Sequence, residues 1–248
     1  MASHQRAVAF VTGASSGIGA EFCRQLADEC DLILATGRNI RRLRKLVEEI
    51  GSRSEVSIFT ADLTSPGGLA KAMNLLQQIG QLKYLVNSAG FGNYGKFAST
   101  ELDKQIEVLA LNANAMMTLC HLAIGLMMPR KTGYIINVSS LVAFQPSSHL
   151  AVYGASKSFM NHFSHALQAE VADSGIVVQA LCPGATRTEF HKQPTFKDYN
   201  RDEVEEHMWM SAEQLVRESL AALNSGNVIC IPGENNKSYV ESIMRTPS

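Results

Sequence analysis

The stretch AVAFVTGASSGIG, residues 7–19, joins a continuous apolar run to a glycine-rich turn. A helical pattern with apolar residues at Phe22 and Leu26 follows directly. An apolar run of strand length without alternation is typical of a strand that is covered on both faces. Gly13, Gly17 and Gly19 mark a turn where the backbone bends before the helix begins. The stretch therefore predicts a strand–turn–helix unit of the kind that opens an α/β fold.

Six further apolar runs of strand length follow along the chain. They span residues 32–35, 56–59, 82–86, 134–138, 176–181 and 228–231. Segments with helical periodicity separate them, for example Leu43, Leu46, Val47 and Ile50. Strands that alternate with helices form a parallel sheet. We expect a single α/β domain over residues 1–248, a doubly wound (Rossmann) sheet of seven parallel strands with at least six helices on its two faces.

The composition excludes several classes of protein. Hydrophobic residues make up 46% and charged residues 18% of the 248 residues, which favours a packed core over disorder. The formal net charge is −1, so no basic field attracts nucleic acid. Apolar runs are interrupted well before the roughly 20 residues that span a bilayer, and Met1 to Arg6 show no signal-peptide leader. We therefore expect neither a nucleic-acid nor a membrane partner.

The cysteines and histidines of the sequence indicate the redox compartment and whether a metal site is present. Five scattered cysteines without a C-x-x-C pair argue against a disulfide framework or a zinc site, and favour a reduced, cytoplasmic location. His162 and His165 lie three residues apart on one helical pattern, but no further ligand accompanies them. We therefore expect no metal site.

The glycine-rich turn predicts a nucleotide site. A helix that begins there directs unpaired N–H groups and a partial positive charge toward a ligand. Gly13 permits the tight turn, Gly17 lets a pyrophosphate approach the backbone, and Gly19 lets the helix pack on the strand. The position between the first strand and the first helix favours a dinucleotide site over a Gly/Ser turn without a ligand.

Tyr153 and Lys157 are four residues apart on a helical pattern that follows Pro146, so they lie one turn apart on one face. A phenol with a pKa of about 10 is a poor base at neutral pH, and we expect the nearby ammonium to lower the pKa of Tyr153. The tyrosine would then exchange a proton with a carbonyl oxygen. An exposed Tyr–Lys pair that arises by chance is the alternative.

One segment departs from the alternation of strands and helices. Residues 184–210 are polar, contain Pro194, and mix charges with Phe190, Phe196, Tyr199 and Trp209. The segment follows the sixth strand, at the sheet edge where doubly wound folds bind ligands. Because long loops in compact domains are usually functional, we interpret it as a substrate lid. An ordinary surface excursion with a short helix is the alternative.

Several spaced motifs together resemble the short-chain dehydrogenase/reductase family over nearly the whole chain. They are Thr-Gly-x-x-x-Gly-x-Gly at residues 12–19, Asp62-Leu63, Asn87-Ser88-Ala89-Gly90, Asn112, Ser140, Tyr153 with Lys157, and Pro183-Gly184 with Thr188. The tail, residues 183–190 and 231–236, resembles a bacterial-type subgroup of uncertain substrate.

The resemblance implies a bound nicotinamide dinucleotide and a set of residues that contact it. The implied set is Gly13, Ser15, Ser16, Gly17, Ile18, Gly19, Arg38, Asp62, Leu63, Asn87, Ala89, Gly90, Tyr153, Lys157, Pro183, Gly184, Thr186 and Thr188. By resemblance, Asp62 and Leu63 lie around the adenine, and Asn87, Ala89 and Gly90 line the ribose side. Thr186 and Thr188 are implied to contact the carboxamide of the nicotinamide.

The resemblance also implies catalytic roles for Ser140, Tyr153 and Lys157. Tyr153 gives or takes the proton at the carbonyl oxygen, Lys157 supports it, and Ser140 orients the substrate oxygen. Ser139 is the neighbouring candidate for that last role. Alternating strand geometry sends the two serines to opposite faces, and the offset of thirteen residues to Tyr153 favours Ser140.

Asn112 is the fourth implied catalytic residue. The family uses an asparagine here to bend a helix and to hold a water that is connected to the lysine. Ala115 stands where a glycine is usual, and Asn114 becomes the candidate if the register shifts by two. A polar side chain in the middle of a helix needs a partner, which favours Asn112 for this role.

The end of the second strand bears on which dinucleotide binds. Residues 36–39 (TGRN) include no carboxylate that would bond the ribose hydroxyls of NAD and repel a 2′-phosphate. Arg38 offers a planar guanidinium that suits this phosphate. Ser16 departs from the Lys or Arg of many NADP-preferring members. Arg41 and Arg42 are interpreted as a solvated helix face, with assistance to Arg38 as the alternative. We expect NADP, with NAD as the less favoured alternative.

Together these features predict an NADP(H)-dependent oxidoreductase that interconverts a carbonyl and a secondary alcohol. Apolar and aromatic residues near the expected mouth indicate a hydrophobic small-molecule substrate: Phe91, Tyr94, Leu141, Val142, Phe144, Phe190 and Trp209. The resemblance implies a homodimer or homotetramer formed through the helices that carry Asn112 and Tyr153. A non-enzymatic NADP-binding redox sensor or scaffold is the alternative from another class, and epimerisation or dehydration on the same fold is a third.

Overall fold

The computed structural model describes residues 6–245, so the prediction about a leader falls almost wholly outside them. Within these residues, seven parallel strands form one sheet in the order β3-β2-β1-β4-β5-β6-β7. The strands are β1 (Val8–Thr12), β2 (Leu32–Gly37), β3 (Glu55–Thr60), β4 (Tyr84–Asn87), β5 (Gly133–Val138), β6 (Ile176–Leu181) and β7 (Ile229–Cys230). The chain order reverses between β1 and β4, the switch point where doubly wound sheets bind ligands. The predicted fold class is confirmed.

Helices cover both faces of the sheet. They are α1 (Gly17–Leu26), α2 (Ile40–Ile50), α3 (Pro66–Gln78), α4 (Leu102–Leu109), α5 (Met116–Met127), α6 (Ala151–Val171), α7 (Ala212–Ala222) and α8 (Glu234–Arg245). A π-helical turn, Ala110–Ala115, joins α4 to α5. A π turn widens the helix by one residue, so α4 and α5 form one long helix with an irregular middle.

Two apolar layers hold the helices to the sheet. Phe22 and Leu43 belong to the layer under α1, α2 and α7, and Leu76 and Leu119 belong to the layer under α3, α5 and α6. Every residue of β1 is buried, as its continuous apolar run predicts. All five cysteines are also buried and unpaired. The sheet is therefore fixed from both sides, and the carboxyl ends of its strands are held at one edge.

Within residues 6–245, one helix is long and apolar enough to cross a membrane by length and composition. The run Leu102–Arg130 has 29 residues and a mean hydropathy of 1.4 in its most apolar window, of which 39% is buried. Core helices of globular domains reach the same values. Asn112 and Asn114 interrupt its apolar residues, and α5 packs on α3 and the sheet.

The segment predicted to form a lid is a loop with a closed base. Its short 3₁₀ turns are Phe190–Lys192, Pro194–Phe196, Arg201–Glu203 and Glu206–Met208. Thr186 and Met210 pair in a parallel bridge, and the N–H of Arg187 donates to the Met210 carbonyl at 2.9 Å. The N–H of Met210 donates to the Ala185 carbonyl, also at 2.9 Å. The two ends of the segment are therefore joined at the strand edge.

Candidate active site

The glycine-rich turn after β1 leaves the start of α1 open to a ligand. Gly13 has a φ of +68°, and a Cβ there would lie 2.8 Å from the backbone N of Ala89. A Cβ on Gly19 would lie 2.6 Å from the Gly13 carbonyl oxygen, so α1 packs directly on the turn. Ser16 is the N-cap without a side-chain capping bond, and the first turn of α1 holds no acidic residue. The N–H groups of this turn are therefore suited to an anion.

A cleft of about 400 Å³ opens beside this turn at the carboxyl ends of the strands. It is lined by all of the residues that the resemblance implies for a dinucleotide except Gly19 and Asn87. Gly19 lies beneath the turn. Asn87 is buried, and its Nδ2 donates to Asn137 Oδ1 at 2.9 Å, so it ties β4 to β5 below the cleft. The structure thus gathers residues from six separate strand ends around one space.

Arg42 lines the cleft together with Arg38, although the sequence analysis favoured a solvated helix face for Arg42 over assistance to Arg38. The side chain is exposed, as expected of a solvated helix face, and Asn39 caps the helix that carries it. Asn39 caps α2 by accepting a hydrogen bond from the Arg42 N–H at 3.1 Å, so the first turn of α2 borders the cleft. The N-cap asparagine after a strand was the available signal.

The cleft fits a phosphate-bearing dinucleotide. The turn at residues 13–19 presents backbone rather than bulky side chains, and two guanidinium groups line the end of the cleft next to β2. Asp62 also lines this end, and its carboxylate accepts bonds from Thr64 Oγ1 at 2.7 Å and Thr64 N at 3.0 Å. These bonds from Thr64 hold the pKa of Asp62 below its usual value. Asp62 is therefore an ionised acceptor at neutral pH.

Tyr153 and Lys157 are both buried on α6 at the inner end of the cleft. The Lys157 Nζ donates to the Val138 carbonyl at 2.7 Å and lies 5.6 Å from the centre of the Tyr153 ring. Burial raises the pKa of Tyr153 to about 12, although a hydrogen bond with Ser140 acts in the opposite direction. Burial lowers the pKa of Lys157 to about 8. The predicted lowering of the tyrosine pKa was wrong, because loss of solvation dominates in this site.

The two adjacent serines after β5 have different partners. Ser140 hydrogen-bonds to Tyr153 and borders the cleft. The Ser139 hydroxyl donates to the Lys157 backbone carbonyl at 3.1 Å and is buried. The alternation of side chains at the strand end therefore separates them, as the sequence analysis argued.

Asn112 lies in the π turn between α4 and α5 and is buried. Its Nδ2 donates to the Phe91 carbonyl and to Ser156 Oγ, both at 3.1 Å, and its Oδ1 has no partner within residues 6–245. A Cβ built on Gly90 would lie 3.2 Å from that Oδ1 and 3.6 Å from Lys157 Nζ. The two polar atoms therefore face the same small space. Asn114 is exposed.

A second cavity of about 700 Å³, the outer cavity, adjoins the cleft. Six residues line both spaces: Ser140, Tyr153, Pro183, Gly184, Phe190 and His191. Of the residues expected at the substrate mouth, Leu141, Val142 and Phe190 line the outer cavity, whereas Phe91, Tyr94, Phe144 and Trp209 do not. Tyr94 instead packs edge-on against Tyr199, with 5.4 Å between ring centres. Tyr153 is thus at the junction of a nucleotide-sized cleft and a largely apolar cavity.

Curated relatives of this chain are named as oxidoreductases or after dehydrogenases. An uncharacterized oxidoreductase of Staphylococcus epidermidis is 27% identical over 206 residues, which cover 83% of this chain and 89% of the relative. The inactive hydroxysteroid dehydrogenase-like protein 1 of Pongo abelii is 32% identical over 179 residues, 71% of this chain and 54% of the relative.

Solved structures give the same assignment. A short-chain dehydrogenase from Sphingobium yanoikuyae in complex with NADPH matches with a TM-score of 0.85 and 28% identity, over 96% of this chain and 92% of that one. A sequence profile of the short chain dehydrogenase family matches residues 7–198. With the glycine-rich turn, the strand order and the Ser140–Tyr153–Lys157 cluster already established, the chain belongs to the short-chain dehydrogenase/reductase family of oxidoreductases.

Proposed function

We propose that this protein is an NADP(H)-dependent oxidoreductase that interconverts a carbonyl and a secondary alcohol on a hydrophobic small molecule. The observation that carries the proposal is the position of Tyr153 and Ser140, which line both the nucleotide cleft and the outer cavity. A carbonyl oxygen that enters from the outer cavity therefore meets a phenol and a hydroxyl at the border of the cleft.

The side chains at this border supply the proton chemistry. With a pKa of about 12, Tyr153 holds its proton at neutral pH, which is the form that donates to a carbonyl oxygen during reduction. Bound NADPH supplies the hydride that the carbonyl carbon accepts. The Lys157 ammonium, 5.6 Å from the ring centre, stabilises the negative charge that remains on the phenol oxygen. Asn112 Oδ1 faces the same space as this ammonium, which supports a path that returns a proton to Tyr153.

NADP is the proposed dinucleotide. Arg38 and Arg42 border the cleft where β2 ends, and no carboxylate stands in the turn at residues 36–39. Asp62 is the acidic lining residue of the cleft that lies nearest to this turn in sequence, and its carboxylate accepts hydrogen bonds from Thr64. The NADPH complex of the structural relative supports this choice. A guanidinium group would neutralise the 2′-phosphate of NADP. With NAD, the guanidinium group would have no phosphate partner there.

An apolar substrate fits the lining of the outer cavity, and the segment 184–210 is proposed as its lid. Leu150, Tyr153 and Phe196 form a buried cluster, against which Val142, Phe190 and Tyr199 pack. Phe190 and Phe196 come from the lid segment, and their rings lie 5.9 Å and 6.4 Å from the Tyr153 ring. The lid therefore excludes water from the proton donor, which strengthens the electrostatic interactions there.

The proposal is tested with Tyr153→Phe. We expect NADPH oxidation in the presence of a ketone panel to fall by at least about 10³-fold, while the NADPH dissociation constant changes less than about threefold. Tyr134→Phe, on β5 and stacked on Tyr84, is the matched control and should keep full activity. Unchanged turnover in Tyr153→Phe would remove the tyrosine from the reaction.

The alternative of a non-enzymatic NADP-binding sensor or scaffold makes a different prediction in the same assay. A relative named as inactive gives it weight. Under that alternative, the wild-type protein binds NADPH but turns over neither ketones nor alcohols. Turnover by the wild type that depends on Tyr153 excludes it.

We also propose that the chain forms a homodimer or homotetramer in a reduced, cytoplasmic environment. Exposed apolar side chains recur at helical spacing along α4 and α5 and continue on α6: Leu102, Ile106, Leu109, Met117 and Phe159. An apolar surface of this kind on a water-exposed helix pair favours burial against a second copy. The buried, unpaired cysteines support the reduced compartment.

A further inference from the structure

The outer cavity differs in charge from the cleft that it joins. Three basic residues line the cleft, whereas no lysine or arginine lines the outer cavity within residues 6–245. The charged groups of the outer cavity are the carboxylates of Glu203 and Glu205, with His207 beside them. A ligand in this cavity therefore meets two carboxylates and no lysine or arginine among the lining residues.

Basic residues near these carboxylates are engaged elsewhere. Arg187 pairs with Glu206, and Lys237 pairs with Glu234 at 2.6 Å. The Arg201 guanidinium lies 5.0 Å over the Trp209 ring, although its charge also acts on His191 and Tyr199 of the cavity lining. None of these three cations lines the outer cavity.

The two carboxylates have partners that neutralise little of their negative charge. Glu203 accepts a bond from the Asn200 amide at 3.1 Å, and this neutral donor leaves its charge in place. Glu205 lies 3.2 Å from His207 Nδ1, an ion pair that exists only when the imidazole is protonated. Neither carboxylate therefore forms an ion pair with a lysine or an arginine within residues 6–245.

The polar and apolar parts of the outer cavity come from different elements. The apolar cluster around Leu150, Val142 and Phe196 contacts Tyr153. The polar part comes from residues 203–207 of the lid and from Asn235, Ser238 and Tyr239 of α8. A substrate that places its carbonyl at Tyr153 therefore lays its body along the apolar cluster and directs a remote group toward the carboxylates.

We propose that the outer cavity selects carbonyl compounds with an apolar body and a remote cationic or neutral group, and that Glu203 and Glu205 reject those with a remote carboxylate or phosphate. The inference rests on the proposed function and adds the substrate class to it. Repulsion of one class of ligand is a common source of specificity, because a like charge costs more than a missing contact.

The test uses three methyl ketones that share one alkyl chain and end in a trimethylammonium, a hydroxyl or a carboxylate. Their dissociation constants for the NADP⁺-saturated protein are measured through the fluorescence of Trp209, the one tryptophan of the chain. At low ionic strength and about pH 8.5, where imidazoles are mostly neutral, we expect the cation to bind about tenfold more tightly than the carboxylate. The preference should shrink toward unity in about 1 M salt.

The double variant Glu203→Gln/Glu205→Gln keeps the shape of the lining and removes both charges. We expect it to lower the cation-to-carboxylate preference to about twofold or less. Glu241→Gln is the matched control, since Glu241 lies on α8, pairs with Arg245 at 3.5 Å and does not line the cavity. It should leave the preference unchanged.

Two results would overturn the inference: equal or tighter binding of the carboxylate by the wild type, or an unchanged preference in the double variant. Equal turnover of all three ketones would likewise overturn it and leave the proposed function standing. A preserved binding preference without NADPH-dependent turnover of any ketone would instead overturn the proposed function alone.

Discussion

Lys157 holds its charge in a buried position. Its ammonium donates to the Val138 carbonyl at 2.7 Å, and burial lowers its pKa to about 8. An unfolded lysine has a pKa of about 10.4. Because the folded value is the lower one, the native state releases its proton first as pH rises, and the cost of burying the charge disappears between about pH 8 and pH 10.5.

Replacing Lys157 with methionine should therefore stabilise the fold at neutral pH while it abolishes turnover. We expect the free energy of unfolding to rise by about 2 kcal/mol at pH 7, with the gain over wild type shrinking above pH 8 and absent near pH 10.5. Urea unfolding of both proteins across this range measures the difference. Lys45→Met, at an exposed position of α2, should show no such pH-dependent gain. A loss of stability in Lys157→Met that is the same at both ends of the range would contradict the argument.

Arg38 offers a second test at this scale. Removal of its guanidinium in Arg38→Ala should weaken NADPH binding by about 10- to 100-fold and NADH binding by less than about twofold, because only NADPH carries the 2′-phosphate. Equilibrium titration with both nucleotides gives the two ratios. Arg41→Ala is the control, since Arg41 is exposed and does not line the cleft. An equal loss for both nucleotides would mean that Arg38 does not distinguish them.

Individual residues also show how far the sequence alone reaches. The choice of Ser140 over Ser139 was predictable because strand alternation is a backbone property. The place of Arg42 depended on the direction that the Asn39 cap gives to α2, and the raised pKa of Tyr153 depended on burial by Phe190 and Phe196. Both are tertiary effects, and neither follows from spacing along the chain.

Among the elements, the π turn Ala110–Ala115 is held by Asn112. The two bonds from its amide connect the turn to the Phe91 carbonyl and to Ser156 on α6. Asn112→Ala would leave both acceptor groups buried without this donor, so we expect a loss of about 1–3 kcal/mol in the free energy of unfolding. Asn114→Ala, two residues later and exposed, should change it by less than about 0.5 kcal/mol. Equal losses in the two variants, measured by urea unfolding, would show that the bonds of Asn112 do not hold the turn.

Strands and helices were the predictable elements, and the lid segment was not. The seven apolar runs predicted all seven strands within residues 6–245. A strand that is buried on both faces needs apolar side chains on both faces, so its sequence is continuously apolar. The 3₁₀ turns of residues 190–208 follow no periodic pattern, and the bridge from Thr186 to Met210 joins residues far apart in sequence. The backbone pairing that joins the two ends of this segment could therefore not be predicted from a local sequence pattern.

For the whole molecule, the exposed apolar stripe on α4, α5 and α6 leads to a test of assembly. Ile106 is 53% exposed near the middle of this stripe, and Ile106→Glu would place a charge inside the proposed contact. We expect the variant to sediment as a monomer at concentrations where the wild type is a dimer or tetramer. Met244→Glu, at a 69% exposed position on α8, is the control and should assemble normally. A wild type that is monomeric at micromolar concentration would contradict the proposed assembly.

The backbone pairing that joins the two ends of the segment 184–210 bears on how proteins of this kind change their substrate preference. Backbone hydrogen bonds at Ala185, Arg187 and Met210 join the two ends of the segment. This connection does not depend on the side chains of the segment. Whatever sequence occupies the intervening positions, its ends stay anchored beside Tyr153, and the sheet beneath needs no adjustment. We therefore expect that transplanting residues 194–209, which do not line the nucleotide cleft, from a relative with another substrate preference would carry that preference across.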